Sequence, residues 1–308
     1  MGGEISVHSE LGKGTTFTTI IPFEEAYLQE FVKQESALDT TSMQKLNQLK
    51  VLLVEDNEFN RMVAEDTLKE TIPGIRLEIA VNGQEAVDRL KKEQFDVVLM
   101  DIQMPVMDGV TATKLIRNTL PEPGRSVRII AMTANVLQED VQQYFEAGMN
   151  AYVSKPFQAD ELLMKMDSVI NNKSKQATKK IEDPAPTVKE NPLPKLPDHV
   201  TDMHFLKQLT GNNPEKQKKY IGMFLENAPK LLDSIDRALI AKDYPTIKIA
   251  AHSLKPQLSY MGVKEEISKI FMIEQSAGEA AHFDTLPQLI INLKHLCIKA
   301  FEELRNSN

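Results

Sequence analysis

A single cysteine, Cys297, stands among 308 residues, so no disulfide can form within the chain. It sits in the apolar-rich stretch LIINLKHLCIKAF, which reads as a core position in a protein of a reducing compartment. Basic residues are also in deficit: 36 Lys and Arg against 44 Asp and Glu give a formal net charge of −8. That balance argues against a nucleic-acid partner, since duplex binding depends on concentrated Lys and Arg. With no helix-turn-helix segment either, a transcription factor is a distant reading. No apolar run is long enough to span a bilayer, and the beginning, MGGEISVHSE, lacks the basic-then-apolar order of a signal peptide. The chain therefore reads as cytoplasmic and soluble, without direct membrane contact, although a longer parent could be membrane-anchored. A chain of 308 residues with 42% hydrophobic content has room for two domains or slightly more.

Against these absences stand four short, continuous apolar runs: VLLV from Val51, DVVLM from Asp96, RIIAM from Arg128 and AYV from Ala151. Runs of this length, separated by longer amphipathic segments, are expected of buried parallel strands joined by crossover helices. The carboxyl ends of such strands line the ligand crevice. Five polar residues fall there: Glu55, Asp56, Asp101, Thr133 and Lys155. Three carboxylates at one sheet edge repel each other unless a hard divalent cation sits among them, with magnesium the natural candidate. The Lys155 ammonium and the Thr133 hydroxyl would supply donors to the oxygens of a transferring phosphoryl group. Asp101 is the best nucleophile, because it ends DVVLM and precedes a loop, IQMPVMDG, that breaks at Pro105 and Gly109. Singly, an Asp after a strand is most often a cap, a Thr-Ala pair packing and a Lys-Pro pair surface. In order, each at a strand end, they leave that reading little room.

The segments VLLVEDNEFN, FDVVLMDIQMPVMDG, IIAMTAN and YVSKPF resemble the response-regulator receiver domain at every usual motif position, over about residues 49–170. The resemblance implies a flavodoxin-like, doubly wound fold with Asp101 as phosphoacceptor. It also implies magnesium held by Glu55, Asp56, Asp101 and the backbone carbonyl of Gln103, with Thr133 and Lys155 on the phosphoryl group. Tyr152 falls where the family keeps a rotating aromatic, so Thr133 and Tyr152 form the expected switch pair.

Residues 1–23 alternate as two strands around ELGKG, a hairpin pattern. They resemble the end of a histidine-kinase ATP-binding domain, of which the Asn-bearing helix, the adenine-binding Asp motif and the dimerisation helix are missing. Useful ATP binding and histidine-kinase activity are therefore not expected, and the chain reads as the C-terminal piece of a hybrid kinase. Residues 24–48 read as a polar linker with some helical character. Residues 171–198, dense in Lys and Pro, read as a second linker that cannot bury a core.

Residues 199–308 are all helical in pattern: a short leading helix with Leu206 and Leu209, then four amphipathic segments, implying an antiparallel bundle. The second segment contains AAHSLKPQLSYMG. Its apolar side, Ile247, Ala250, Leu254, Leu258 and Met261, leaves His252 and Lys255 toward the wetter side. An imidazole is a competent nucleophile toward an acyl phosphate, and an ammonium three residues on can pair with the oxygens. A lone His beside a Lys is usually mere surface, and His8, His199, His204, His282 and His295 are read so. His252 is lifted above them because AHSLKPQLSYMG resembles the histidine-phosphotransfer motif, whose defining positions are the His and the Lys three residues later. Pro256 departs from it and is expected to kink the helix, tilting the His252 turn outward.

These features together imply a multistep phosphorelay. Asp101 accepts a phosphoryl group from a phosphohistidine of an upstream kinase core and passes it through His252 to a downstream response-regulator receiver. The rivals are a non-catalytic interaction module and a fragment of an ATP-using hybrid kinase.

Overall fold

The computed structural model describes residues 4–10, 14–20, 46–134, 138–171, 199–263, 267–278 and 285–306. The expected linkers, 24–48 and 171–198, lie outside the described residues except at their edges. Strands β1 (Glu4–Glu10) and β2 (Gly14–Ile20) pair antiparallel, with Val7 opposite Phe17, as the alternation around ELGKG predicts. They belong to a unit of their own, Met1–Asp39; the remainder, Thr40–Asn308, is a second unit.

In that second unit the four apolar runs become parallel strands: β3 (Lys50–Val54), β5 (Val97–Asp101), β6 (Arg128–Thr133) and β7 (Ala151–Ser154). A fifth, β4 (Arg76–Ala80), joins at the edge, and the order is β4-β3-β5-β6-β7. Val51 to Val54 and Val97 to Met100 are all buried, so these strands face apolar neighbours on both sides, which is why they carry no polar alternation. The helices between are α1 (Glu58–Thr71), α2 (Gly83–Lys92), α3 (Gly109–Thr119), α4 (Gln138–Glu146) and α5 (Ala159–Ile170). Side chains of Asn57, Asn82 and Asp108 cap the first three, accepting from the amides of Asn60, Glu85 and Thr111. This is the doubly wound arrangement expected. The chain leaves β3 for β4 on one side and returns to β5 on the other, opening a crevice at the strand ends there.

The C-terminal part is helical: α6 (Met203–Leu209), α7 (Pro214–Ala241), α8 (Tyr244–Tyr260), α9 (Ile267–Gly278) and α10 (Leu286–Asn306). Asn213 caps α7 ahead of Pro214, which fits the first turn because its missing amide has no partner to lose. Just past the Met261 cap of α8 comes Gly262, whose φ of +79° and close approach to the Asp202 backbone leave no room for a Cβ. The bundle core runs through Tyr220, Phe224, Ile235, Leu254, Ile273 and Cys297. Phe59 and Val63 of α1 belong to this same core, so the bundle is packed against the α/β part.

That packing corrects one expectation. His252 and Lys255 do not face water: they are 3% and 7% exposed. The apolar stripe of α8 was read correctly, but the side left over is covered by the α/β part rather than by solvent. Helix α8 also continues unbroken through Pro256 to Tyr260.

Candidate functional site

The strand register sets the site. Val54 pairs with Met100, Asp101 with Met132 and Thr133 with Ser154, so Glu55, Asp56, Asp101, Thr133 and Lys155 arrive at one level of the sheet edge. The Lys155 amide donates to the Thr133 carbonyl at 2.6 Å and ties the last two together. Gly109 lets the loop after Asp101 return over the strand end, since a Cβ there would collide with the Asp101 carbonyl oxygen. Gln103 lies in that loop.

One carboxylate oxygen each from Glu55, Asp56 and Asp101 lie within 4.8 Å of one another. Asn60 donates from its side-chain amide to Glu55 at 3.2 Å, and Arg61 donates to the backbone carbonyls of Glu55 and Asp56. Lys155 Nζ reaches both Glu55 and Asp101 at 2.7 Å, and all three are buried. Burial and the neighbouring Asp101 charge push Glu55 well above the usual carboxylate range, against the pull of Lys155, and push Asp56 up to about 6. For Asp101 burial acts upward too, but the Lys155 ammonium with His252 overrides it and holds the group low. Lys155 is held high by Asp101 and Glu55 in spite of its burial. Such a cluster, all oxygen and short of positive charge, is the donor set a hard divalent cation requires, and it could bind one.

The bundle supplies the opposite wall. His252 Nε2 is 4.0 Å from Asp101 Oδ1, although the two residues are 151 positions apart. On its other side, His252 Nδ1 lies 3.4 Å from Glu274 Oε1. Burial disfavours a charged ring, yet the Asp101 and Glu274 carboxylates together push His252 up to about 9. Lys255, on the same helix, is drawn below its ordinary range by burial. The structure thus brings Glu55, Asp56, Asp101 and Lys155 into one cluster and sets His252 of the second site beside it.

The Thr133 hydroxyl lies 3.2 Å from the Tyr144 hydroxyl, and burial pushes that phenol up to about 12. The expected partner, Tyr152, is half-buried, edge-on to Phe145 with ring centroids 6.4 Å apart, and carries Lys165 over its face. Sequence reasoning missed Tyr144, which sits in no motif. It also missed Glu274, although a carboxylate on the apolar stripe Ile270, Ile273, Ala277 was a legible signal.

Residues 51–167 match the family described as the response regulator receiver domain. Among similar proteins, the aerobic respiration control sensor protein ArcB of Escherichia coli (strain K12) is 31% identical over 265 residues, or 86% of this chain. The autoinducer 2 sensor kinase/phosphatase LuxQ of Vibrio vulnificus (strain CMCP6) is 38% identical over 161 residues, or 52% of this chain. The chain spans 32% and 18% of the lengths of these two proteins. Among solved structures, the receiver domain of sensor histidine kinase PA1611 from Pseudomonas aeruginosa PAO1, with a magnesium ion in its active site cleft, is 41% identical. It covers 40% of this chain and 98% of its own, with a TM-score of 0.37. Among the described residues no helix is long and apolar enough to cross a membrane. Together with the acidic cluster and the register that builds it, the sequence match makes residues 51–167 a response regulator receiver domain.

Proposed function

We propose that the chain is a two-step phosphoryl relay in which Asp101 takes a phosphoryl group from a kinase phosphohistidine, His252 takes it from Asp101, and a separate response regulator takes it from His252. On this reading residues 49–170 are the receiver and 199–308 the histidine-phosphotransfer domain. The observation that carries it is the 4.0 Å approach of His252 Nε2 to Asp101 Oδ1 inside a buried seam. A phosphoryl transfer needs little covalent help from a protein beyond placing entering and leaving atoms in line and meeting the charge on the oxygens.

The carboxylates of Glu55, Asp56 and Asp101, with the Gln103 carbonyl, would hold magnesium, which supplies charge neutralisation to the phosphoryl oxygens. Lys155 and Thr133 reach the same oxygens from the other strand ends. In the transfer the P–O bond to Asp101 breaks and its electron pair returns to the carboxylate. Once the phosphoryl group masks the Asp101 carboxylate that holds His252 in its charged form, the Nε2 proton leaves to water, and the freed Nε2 lone pair forms the new N–P bond. The proton on Nδ1 stays in place, facing Glu274, so the ring presents Nε2 as its nucleophile. Lys255, one turn further along α8, pairs with the oxygens once they sit on the histidine. Thr133 then reports the loading of Asp101 through its hydroxyl partners, with Tyr152 as the aromatic that follows it.

The test is incubation with acetyl phosphate and magnesium, reading label on each residue. The wild type acquires label on His252, Asp101→Asn acquires none there, and His252→Ala holds it on Asp101. Label on His252 in Asp101→Asn would overturn the order.

A further inference from the structure

The seam between receiver and bundle has a pattern of its own, away from the reacting groups. Along α1, Phe59, Val63, Asp66 and Glu70 form one stripe at helical spacing. Phe59 is fully buried and its ring sits 6.2 Å from Tyr220 and 5.7 Å from Tyr260. Beyond it, Tyr220 donates its hydroxyl to Asp66 at 3.1 Å, Lys219 reaches Asp66 at 3.2 Å, and Lys216 reaches Glu70 at 2.6 Å. An apolar knob thus enters an aromatic slot, and a carboxylate pair meets a lysine pair on α7. The same seam leaves the His252 side chain only 4% exposed.

We propose that the bundle face formed by Lys216, Lys219, Tyr220 and Tyr260 is a receiver-reading surface, filled in this structure by the chain's own receiver and required in turn by any second receiver. The proposal rests on the relay reading for its purpose but on the seam for its content. His252 cannot meet another protein while it is covered, so delivery requires the chain's own receiver to leave first. The second receiver must then present the same signature. Its first helix carries a large apolar side chain near its start, with carboxylates seven and eleven residues further on, as Asp66 and Glu70 follow Phe59. A receiver with lysines there meets Lys216 and Lys219 and is rejected by like charge. The covalently attached receiver competes as an intramolecular partner, so the closed form is the one a free receiver has to displace.

A second copy of the chain can serve as the second receiver. The donor carries His252→Ala with Lys216→Glu and Lys219→Glu, which opens its own seam but leaves its acidic α1 native, and is loaded with acetyl phosphate and magnesium. Two acceptors carry Asp101→Asn, one otherwise native and one with Asp66→Lys and Glu70→Lys. Label should reach His252 of the opened acceptor about tenfold faster than that of the closed one, a difference of about 1.4 kcal/mol in barrier. Equal rates would overturn the proposal. Accessibility of His252 to diethyl pyrocarbonate, read by peptide mass spectrometry, needs no phosphoryl transfer. It should rise in either charge-reversed pair and fall back when all four reversals are combined; no rise in either pair would overturn the proposal. If label reaches no histidine in any mixture, the relay reading fails, and the diethyl pyrocarbonate result alone decides the surface.

Discussion

Glu274 Oε1 lies 3.4 Å from His252 Nδ1, and both side chains are buried between α8 and α9 at the receiver seam. A carboxylate in that position does two things: it fixes which ring nitrogen keeps the proton, and it steadies positive charge on the ring. The variants Glu274→Gln and Glu274→Ala separate them. Gln can still accept from Nδ1 but brings no charge, whereas Ala does neither. Once this contact tightens to a hydrogen bond in the transfer it is worth about 1.5–3 kcal/mol, as bonds to charged groups are, so Glu274→Ala should slow transfer to His252 by about tenfold to a hundredfold. Glu274→Gln should recover most of that loss. Single-turnover appearance of label on His252 measures both, and a Gln variant as slow as Ala would assign the effect to charge.

Asp56 shows what the acidic cluster costs without a cation. Burial and Asp101 push it up to about 6, so at neutral pH its charge costs the folded chain free energy that the unfolded chain does not lose. Removing the charge with Asp56→Asn should therefore stabilise the chain in chelator by about 1–3 kcal/mol, one pKa unit corresponding to about 1.4 kcal/mol. Added magnesium should stabilise the wild type and leave the variant nearly unmoved, reversing their order. Thermal unfolding with and without magnesium measures this; a wild type indifferent to magnesium would remove the metal from the site.

The cluster was legible in the sequence because each member ends a run of uninterrupted apolar residues, and a parallel sheet brings strand ends to one edge wherever they lie in the chain. Strand β4, RLEIA, was not singled out, because an edge strand exposed at Arg76 alternates charged with apolar residues and resembles a helix fragment. The bundle helices were legible from their stripes. What could not be read was the meeting of the two parts. Phe59 in VEDNEFN looks like an exposed helical residue until Tyr220 and Tyr260 close around it. For the same reason His252 was assigned to water: a helix face shows its own polarity, not what another domain brings to cover it.

Thr133 and Tyr144 form a buried hydroxyl pair at 3.2 Å. A neutral hydrogen bond contributes about 0.5–1.5 kcal/mol, and removing one hydroxyl takes that bond from the other. Tyr144→Phe and Thr133→Val should each destabilise by about 1 kcal/mol, while the double variant should cost less than their sum. Denaturant unfolding of the three variants closes the cycle. Strict additivity would mean that the two hydroxyls are neighbours without coupling.

Cys297 allows a test that is independent of the phosphoryl chemistry. It is fully buried on α10, and burial pushes its thiol up to about 12, because the thiolate has no water or positive partner to receive it. At pH 8 it should resist iodoacetamide in the folded chain and react only at the rate of opening, then react fully in denaturant. Being the only cysteine, it reports on a single place in the bundle core. The same shift fixes the sign of a pH effect. Its folded value lies above its unfolded one, so the neutral thiol's contribution is complete below the ordinary thiol range. It is lost as pH rises towards about 12. Cys297→Ala removes that titration and leaves a small cavity, costing about 1 kcal/mol at neutral pH. Its stability should therefore fall less steeply than the wild type's between pH 9 and 11. Parallel unfolding curves across that range would show that the thiol does not titrate on unfolding, and that another group accounts for the alkaline loss.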